Sequence, residues 1–544
     1  MGAALATRPG RVTFVAGDEH VTVPWAQVHD EARAMAADLH TRGVGPGHHV
    51  ALLGPTSRSL VTAIQATWLA GATVMVLPLP MRMSSIEEFV AQTRRRIREG
   101  DVRVVLVDAD LLPFVEPQPG DPPFLRLDDL GRGVCADRFE APAIDPDSLA
   151  ILQFTSGSTS DPKGVMLPHR AVCANLAGIE VATRFDPHDD VLVSWLPLYH
   201  DMGLVGLLTL PMTTGADLVL AGPQDFMAAP ARWPQWLSDY GGTATAGPNF
   251  SWVLATRALR RMTGLDLSRL RVALNGAEPV DAEAVEALIE AGAPHGLRPG
   301  AVFPAFGMAE VAIAGTFPEP GAGLRTDDVD RRVLETERYA APAGGSGATG
   351  DGVRRLARLG RPVPGLEIRI CDPASGEVLR EREVGELEIR GTSMTTGYYR
   401  RPQVTADSFH EGWLRTGDLA YTVEGELVVC GRIKDVIIVG GRNVYPQDVE
   451  KAVGQVEGVR TGNVIAFGVE GRQGKEAIVV VAEARADDPM PVRAAVADRV
   501  RDAVGLPARD IVLVAPGSLP KTSSGKLQRS LCRASYLEDR LQAV

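Results

Sequence analysis

Residues 154–165 read FTSGSTSDPKGV and directly follow the apolar run SLAILQ at 148–153. A buried strand that opens into glycines, hydroxyls and one lysine is the composition of a loop built to hold an anion. In the loop from Thr155 to Gly164 the glycines let backbone N–H groups approach a phosphate, Ser156, Ser158, Thr159 and Ser160 supply hydroxyl donors, and Lys163 adds a point charge. The loop is not of the Walker A type, because Pro162 stands where GxxxxGK[ST] requires Gly. Taken alone, a Ser/Thr/Gly surface turn fits each residue equally well.

The surroundings narrow the choice. From HHVALLG at 48–54 to FPAFGMAE at 303–310, short β-branched runs alternate with amphipathic stretches, the pattern of parallel sheets covered by helices. Ligands in such α/β folds bind beyond the carboxyl ends of strands, where most of the polar clusters fall. From about 359 to 431, GLEIRICD, VGELEIRG and GELVVCGR lie too close together for intervening helices and predict an antiparallel β subdomain. After GRIKD at 431–435 a compact α+β tail begins, so the expected division is a large N-terminal domain over 1–431 and a small mobile C-terminal domain over 432–544. The polar, Gly/Ala-rich stretch 327–355 reads as an exposed insertion. Its literal GxGxxG at Gly345, Gly347 and Gly350 has neither the strand nor the helix that a dinucleotide loop needs.

With 544 residues the chain exceeds one core, and 45% hydrophobic with 23% charged residues place it among folded globular proteins. A formal charge of −12 argues against nucleic acid as a partner, since phosphate neutralisation needs a basic face. The one basic run, TRRRIREGD at 93–101, reads as a solvated helix end. Five scattered cysteines form no CxxC pair or disulfide framework and suggest a reducing cytoplasm. The uncharged stretch between Arg58 and Arg82 reads as a buried helix (57–70) feeding a strand (73–77) and not as a membrane span, and no signal peptide is visible.

Further clusters carry possible chemistry. WLPLYHDMG at 195–203 sets His200 among apolar residues, where a satisfied core histidine is the plainer alternative. NGAEP at 275–279 and FGMAE at 306–310 offer an aromatic face and a carboxylate suited to a hard cation. WLRTGDLAY at 413–421 and GRIKD offer Asp418 and Arg432, and a carboxylate accepting from vicinal hydroxyls is a plausible ribose clamp. PKTSSGKLQR at 520–529 carries two lysines in a flexible loop.

In this order, TSGSTSDPKG, LYHDMG, NGAEP, FGMAE, TGD, GRIKD, GGRNVYPQD and PKTSSGK resemble the acyl-adenylate-forming enzyme superfamily along nearly the whole chain. Within it they look most like the long-chain fatty acyl-AMP ligases, in particular those of mycobactin-type siderophore assembly, and 327–355 falls about where those ligases carry an extra insertion. The resemblance implies ATP and a fatty acid as substrates, Mg²⁺, and transfer of the acyl group to a holo acyl carrier protein. It assigns the loop from Thr155 to Lys163 to the ATP phosphates, and Gly276, Ala277, Phe306 and Gly307 to the adenine. It gives Glu310 to the metal, Asp418 and Arg432 to the ribose, and His200 and Lys526 to the reacting carboxylate and α-phosphate. Lys434 and Asp435 would be the hinge about which the C-terminal domain turns. Two positions depart from common relatives: Phe306 stands where Tyr is frequent, and Arg442 where an acid often stands. An acyl-CoA synthetase shares most of these motifs, a luciferase-like oxidoreductase shares the adenylation residues, and a non-catalytic adenylate-binding module would be expected to lack Lys526 or Glu310.

Overall fold

The computed structural model describes residues 10–79, 86–155, 162–346, 350–470, 476–485, 488–522 and 526–544. Two mostly parallel sheets dominate the first three hundred residues. One has the strand order Val302–Pro304, Val272–Asn275, Ala244–Gly247, Val191–Ser194, Asp217–Ala221, Arg11–Ala16, Glu19–Pro24, with only the last pair antiparallel. The other runs Phe124–Arg126, Val102–Val107, His49–Leu53, Thr73–Val76, Leu149–Phe154, Gly164–Pro168, and again only its last pair is antiparallel. The central strands are mostly apolar because both faces are covered: all five residues of His49–Leu53 are buried.

The uncharged stretch resolves as helix Arg58–Leu69, capped by Ser57 Oγ accepting from Leu60 N–H (3.2 Å), followed by strand Thr73–Val76. Gly71 (φ +79°) makes the turn between them. No helix among the described residues is long and apolar enough to cross a membrane.

Strands Leu366–Cys371, Gly385–Gly391, Trp413–Val423 and Glu426–Arg432 pair antiparallel in sequence order. Beyond Arg432 the chain builds a sheet of Val459–Glu470, Glu476–Ala484 and Asp510–Val514, with its own apolar clusters.

The stretch 327–355 is not the irregular exposed loop its composition suggests. Strands Thr326–Asp330 and Val353–Ala357 pair antiparallel, and helix Arg331–Glu337 follows the first, capped by Asp330. Asp327, Asp330, Glu335 and Arg354 are buried; Asp330 accepts from Val333 N–H, and the other three have charged partners that composition does not reveal. Asp327 is held by Arg382 (3.1 Å) and Tyr421 OH (2.7 Å), and Arg354 by Asp448 (2.9 Å).

Candidate active site

Parallel strands put their carboxyl ends on one edge, and this edge collects the polar clusters. Asn275 is in register with Gly247 and Pro304, so the turns after three neighbouring strands emerge side by side. They form one wall of a cleft of about 2140 Å³, which is also lined by Lys521, Thr522 and Lys526–Arg529 from the C-terminal part of the chain. Thr155, Lys163, His200, Gly276, Ala277, Phe306, Gly307, Glu310, Asp418, Arg432, Lys434, Asp435 and Lys526 all line this cleft. Ser156, Gly157, Ser158 and Thr159 lie outside the described residues.

The backbone at the proposed adenine wall leaves little room. Ala277 adopts a left-handed conformation (φ +69°), which costs a non-glycine residue energy and persists where the surroundings enforce it. A Cβ at Gly276 would stand 2.9 Å from the carbonyl oxygen of Ala305, and one at Gly307 would fall on that of Ile313. Gly307→Ala is therefore expected to destabilise the protein by about 1–3 kcal/mol, measured by urea unfolding. An unchanged midpoint would show that the strand yields freely.

Lys526 is the centre of the charge pattern. Burial lowers its pKa, while the carboxylates of Asp201 and Glu278 pull it back up and Arg432 adds a repulsion. The Lys526 N–H donates to Thr522 Oγ1 (3.1 Å) and its carbonyl accepts from Thr522 N–H (2.8 Å), which ties the Lys526 backbone to Thr522. Asp201 accepts from His200 Nδ1 (2.9 Å) and from Met202 N–H (2.8 Å). Burial pushes the Asp201 pKa up, but the His200 bond and the charges of His200 and Lys526 outweigh it and hold the carboxyl below its ordinary range. An ionised Asp201 only accepts, so Nδ1 carries the proton and Nε2 is left as the other polar atom of the ring. After His200 the chain continues as a π-helix, Met202–Thr209, in which Thr209 Oγ1 reaches back to Leu204 O (2.7 Å).

Glu310 accepts from Tyr398 OH (2.9 Å), and Lys163 Nζ stands 4.9 Å from the Tyr398 ring centroid. Burial raises the Glu310 pKa, opposed by its own amide and by Tyr398. Among the described residues no group of three or more His, Cys, Asp or Glu could hold a metal. The Glu310 carboxylate, which lines the cleft, still fits Mg²⁺, which keeps waters and is bound by one or two carboxylates together with substrate phosphates.

Asp418 and Arg432 are opposite partners on adjacent strands and form an ion pair (3.0 Å). Burial raises the Asp418 pKa, and Arg432 draws it down. Arg432 thus orients the carboxylate in addition to facing the cleft. Asp435 pairs with Arg529 (2.6 Å), which also bonds Glu450 (2.8 Å).

Sequence reasoning missed Asp201, Glu278 and Tyr398. Asp201 was legible as the neighbour of His200, and Glu278, which accepts from Phe250 N–H (2.7 Å), lies within the NGAEP cluster. Tyr398 is brought to Glu310 only by the fold.

Residues 2–399 match the family of AMP-binding enzymes. Rv1013 of Mycobacterium tuberculosis, provisionally named a ligase, is 40% identical over 538 residues, 96% of each chain. The medium-chain-fatty-acid–[acyl-carrier-protein] ligase JamA of Moorena producens is 33% identical, over 96% of this chain and 92% of its own. A structure from a study of fatty acyl-adenylate ligases from E. coli and L. pneumophila superposes with a TM-score of 0.90 at 31% identity, covering 99% of this chain and 97% of that one. The chain belongs to the AMP-binding enzyme family, and its fold is that of the adenylate-forming enzymes.

Proposed function

We propose that this protein is a fatty acyl-AMP ligase: it joins a medium- or long-chain fatty acid to AMP from ATP, releases pyrophosphate, and passes the acyl group to the phosphopantetheine thiol of an acyl carrier protein. The observation that carries the reading is Lys526, which lines the cleft within reach of the charges of Asp201, Glu278 and Arg432. A carboxylate attacks the α-phosphorus in line and pyrophosphate leaves. Both partners are anions, so the protein must orient them and neutralise charge. A fatty carboxylate is already ionised at pH 7, and no general base is required.

Each residue then has a task. Lys526 meets the charge shared by the carboxylate and α-phosphate, and His200, aligned by Asp201, faces the carboxylate. Thr155 and Lys163 bracket the phosphate loop. Phe306 borders the adenine with Gly276, Ala277 and Gly307, and Asp418 takes the ribose hydroxyls with Arg432 beside it. Glu310 would hold Mg²⁺, which when bound offsets the charge of the phosphates. The apolar part of the cleft, with Trp195, Leu207, Met227, Phe250 and Leu254, suits an alkyl chain.

For transfer, the domain over 432–544 turns about Lys434 and Asp435 and withdraws Lys526 so that the thiol can enter. Siderophore or lipid assembly would consume such an acyl group, in a cytoplasm reducing enough to keep Cys135, Cys173, Cys371, Cys430 and Cys532 as free thiols.

ATP–pyrophosphate exchange tests the first half-reaction: fatty acids should stimulate it and amino acids should not. Its pH profile should also carry a Lys526 signature. Because burial lowers the lysine pKa, kcat/KM for ATP should fall with rising pH below the range of an ordinary lysine, as the ammonium is lost. Lys526→Arg should remove that alkaline limb, and a limb that persists in the variant belongs to another group.

A further inference from the structure

The cleft has an enclosed arm that follows one face of the first sheet. On strands Val191–Ser194 and Val272–Asn275 a single parity borders it: Leu192, Val272 and Leu274 line the cleft, whereas Val193 and Ala273 do not. Register sets Ala244 level with Leu192 and Val272, and Ala246 level with Leu274. Side chains alternate along a strand, and Thr245 and Gly247 face Trp233: Thr245 Oγ1 accepts from Trp233 Nε1 (2.9 Å), and a Cβ at Gly247 would stand 2.9 Å from the Trp233 ring. Ala244 and Ala246, which both line the cleft, therefore point to the other face, the one that Leu192, Val272 and Leu274 share. Leu192, Ala244, Ala246 and Val272 are buried, so the arm is shut off from bulk water along its length.

Both ends of the arm are defined by strand direction. Gly276 stands just beyond the carboxyl ends and Val272 near the amino ends, a run of about 13 Å at the rise of a strand. The π-helix Met202–Thr209 begins just after His200 and packs against strands Val191–Ser194 and Ala244–Gly247, with Gly206 and Leu207 on the cleft. An acid whose carboxylate meets His200 can thus send its tail down the sheet face. The amino end is closed by a polar row. Asp190, Thr243 and Arg271 each immediately precede one of three adjacent strands. Asp190, itself buried, accepts from Thr243 Oγ1 (2.7 Å), Arg271 Nε (2.8 Å) and Asp186 N–H (2.9 Å), and Arg271 Nη1 donates to Thr183 O (2.6 Å). Arg271 and Thr183 line the cleft, as does Ile179 one turn earlier on helix His169–Thr183. A methyl terminus that pushed past this row would have to break charge-assisted bonds and gain no polar partner in return.

We propose that this arm is a closed acyl channel whose length is set by the Asp190–Arg271 pair, and that it selects a linear saturated acid of roughly ten to twelve carbons, the number that an extended chain fits into the run of the strands. The proposal rests on the fatty acyl-AMP ligase reading and narrows its substrate class. Ala246 borders the near half of the channel and Ala244 the far half, so the two positions report on different lengths of acid.

The test measures kcat/KM in ATP–pyrophosphate exchange for saturated acids from hexanoate to octadecanoate, with thermal melting of each protein. Wild type should peak at decanoate or dodecanoate and fall about tenfold or more by octadecanoate, since methylenes that do not fit a pocket cost at least that factor. Ala244→Leu fills the far half: dodecanoate should fall about 10- to 100-fold while octanoate stays within about twofold. Ala246→Leu fills the near half: octanoate should fall as well, leaving hexanoate the best acid. The double variant Asp190→Ala with Arg271→Ala removes both charges together, strands neither, and should gain activity on hexadecanoate.

Wild-type exchange that responds to no fatty acid would overturn the functional reading itself. Fatty-acid-dependent exchange in which octadecanoate equals dodecanoate would overturn only the closed channel. Length profiles left unchanged by both leucine variants would also overturn it, by placing the tail elsewhere in the cleft, along Phe250 and Leu254. A parallel loss at every length with a lowered melting temperature would make Ala244 and Ala246 packing residues. A folded double variant that gains nothing on hexadecanoate would overturn the ion pair as the end of the channel.

Discussion

Lys526→Ala is expected to slow acyl-adenylate formation by about 10²- to 10³-fold, the loss seen when one preorganised group facing developing charge is removed. The expectation follows from the place of Lys526 on the cleft wall, within reach of the charges of Asp201 and Glu278. The same variant should transfer the acyl group from preformed adenylate at close to the wild-type rate, because that step is assigned to a conformation from which Lys526 has withdrawn. Single-turnover assays of the two half-reactions separate these outcomes. Equal loss in both would contradict the division of labour. Removing the lysine also leaves Asp201 and Glu278 without the cation whose charge reaches both, so the pKa values of both should rise and adenylation should worsen further at high pH.

The second large effect is expected where the two parts of the chain meet. Glu335 is fully buried, and its carboxylate accepts from Arg442 Nε (3.1 Å) and from Nη2 of the same side chain. Asn443 Nδ2 donates to the Glu335 carbonyl (3.0 Å), and Arg331 donates to Ala503 O. Arg354 sits 4.2 Å from the Tyr445 ring centroid and pairs with Asp448, while Lys451 bonds Glu283 (2.9 Å). These contacts join the segment before Arg432 to the segment after Asp435 with Lys526 in place. Burial raises the Glu335 pKa and Arg442 opposes it, so the pair is held by charge in a dry setting.

Removing one member of such a pair strands the other, which is far costlier than losing an exposed bridge. Arg442→Ala should therefore disfavour this arrangement: adenylation should slow by about tenfold or more, while transfer from preformed adenylate should be unchanged or faster. Cleavage near residues 432–436 by a protease should accelerate in parallel. A double variant, Glu335→Gln with Arg442→Ala, removes the stranded charge and should recover part of the adenylation rate. Unchanged adenylation in the single variant would mean that the pair does not hold the adenylating arrangement.

Much of the site was legible because its chemistry is local in sequence. The loop from Thr155 to Lys163, NGAEP, FGMAE and GRIKD each follow a strand, and parallel pairing aligns the exits of the strands before NGAEP and FGMAE without further information. Asp418 and Arg432 read as two separate ligands, whereas strand register makes them partners. Tyr398 could not be read, because its meeting with Glu310 spans 88 residues of intervening fold. In the basic run Arg95 and Arg98 are exposed, as the charges suggest, and the helix phase buries Thr93 and Ile97 beside Phe89. In 327–355 the polar composition suggested exposure, but buried charges that find partners in distant segments leave no periodic signature.

The most direct test of the central claim is the identity of the acyl acceptor. Purified protein would be given ATP, Mg²⁺ and labelled fatty acids of several lengths, alone, with CoA, and with a holo acyl carrier protein, and the products separated. Acyl-AMP that accumulates alone, persists with CoA and is consumed by the carrier protein is the predicted result. Rapid formation of acyl-CoA would contradict it and make the protein an acyl-CoA synthetase.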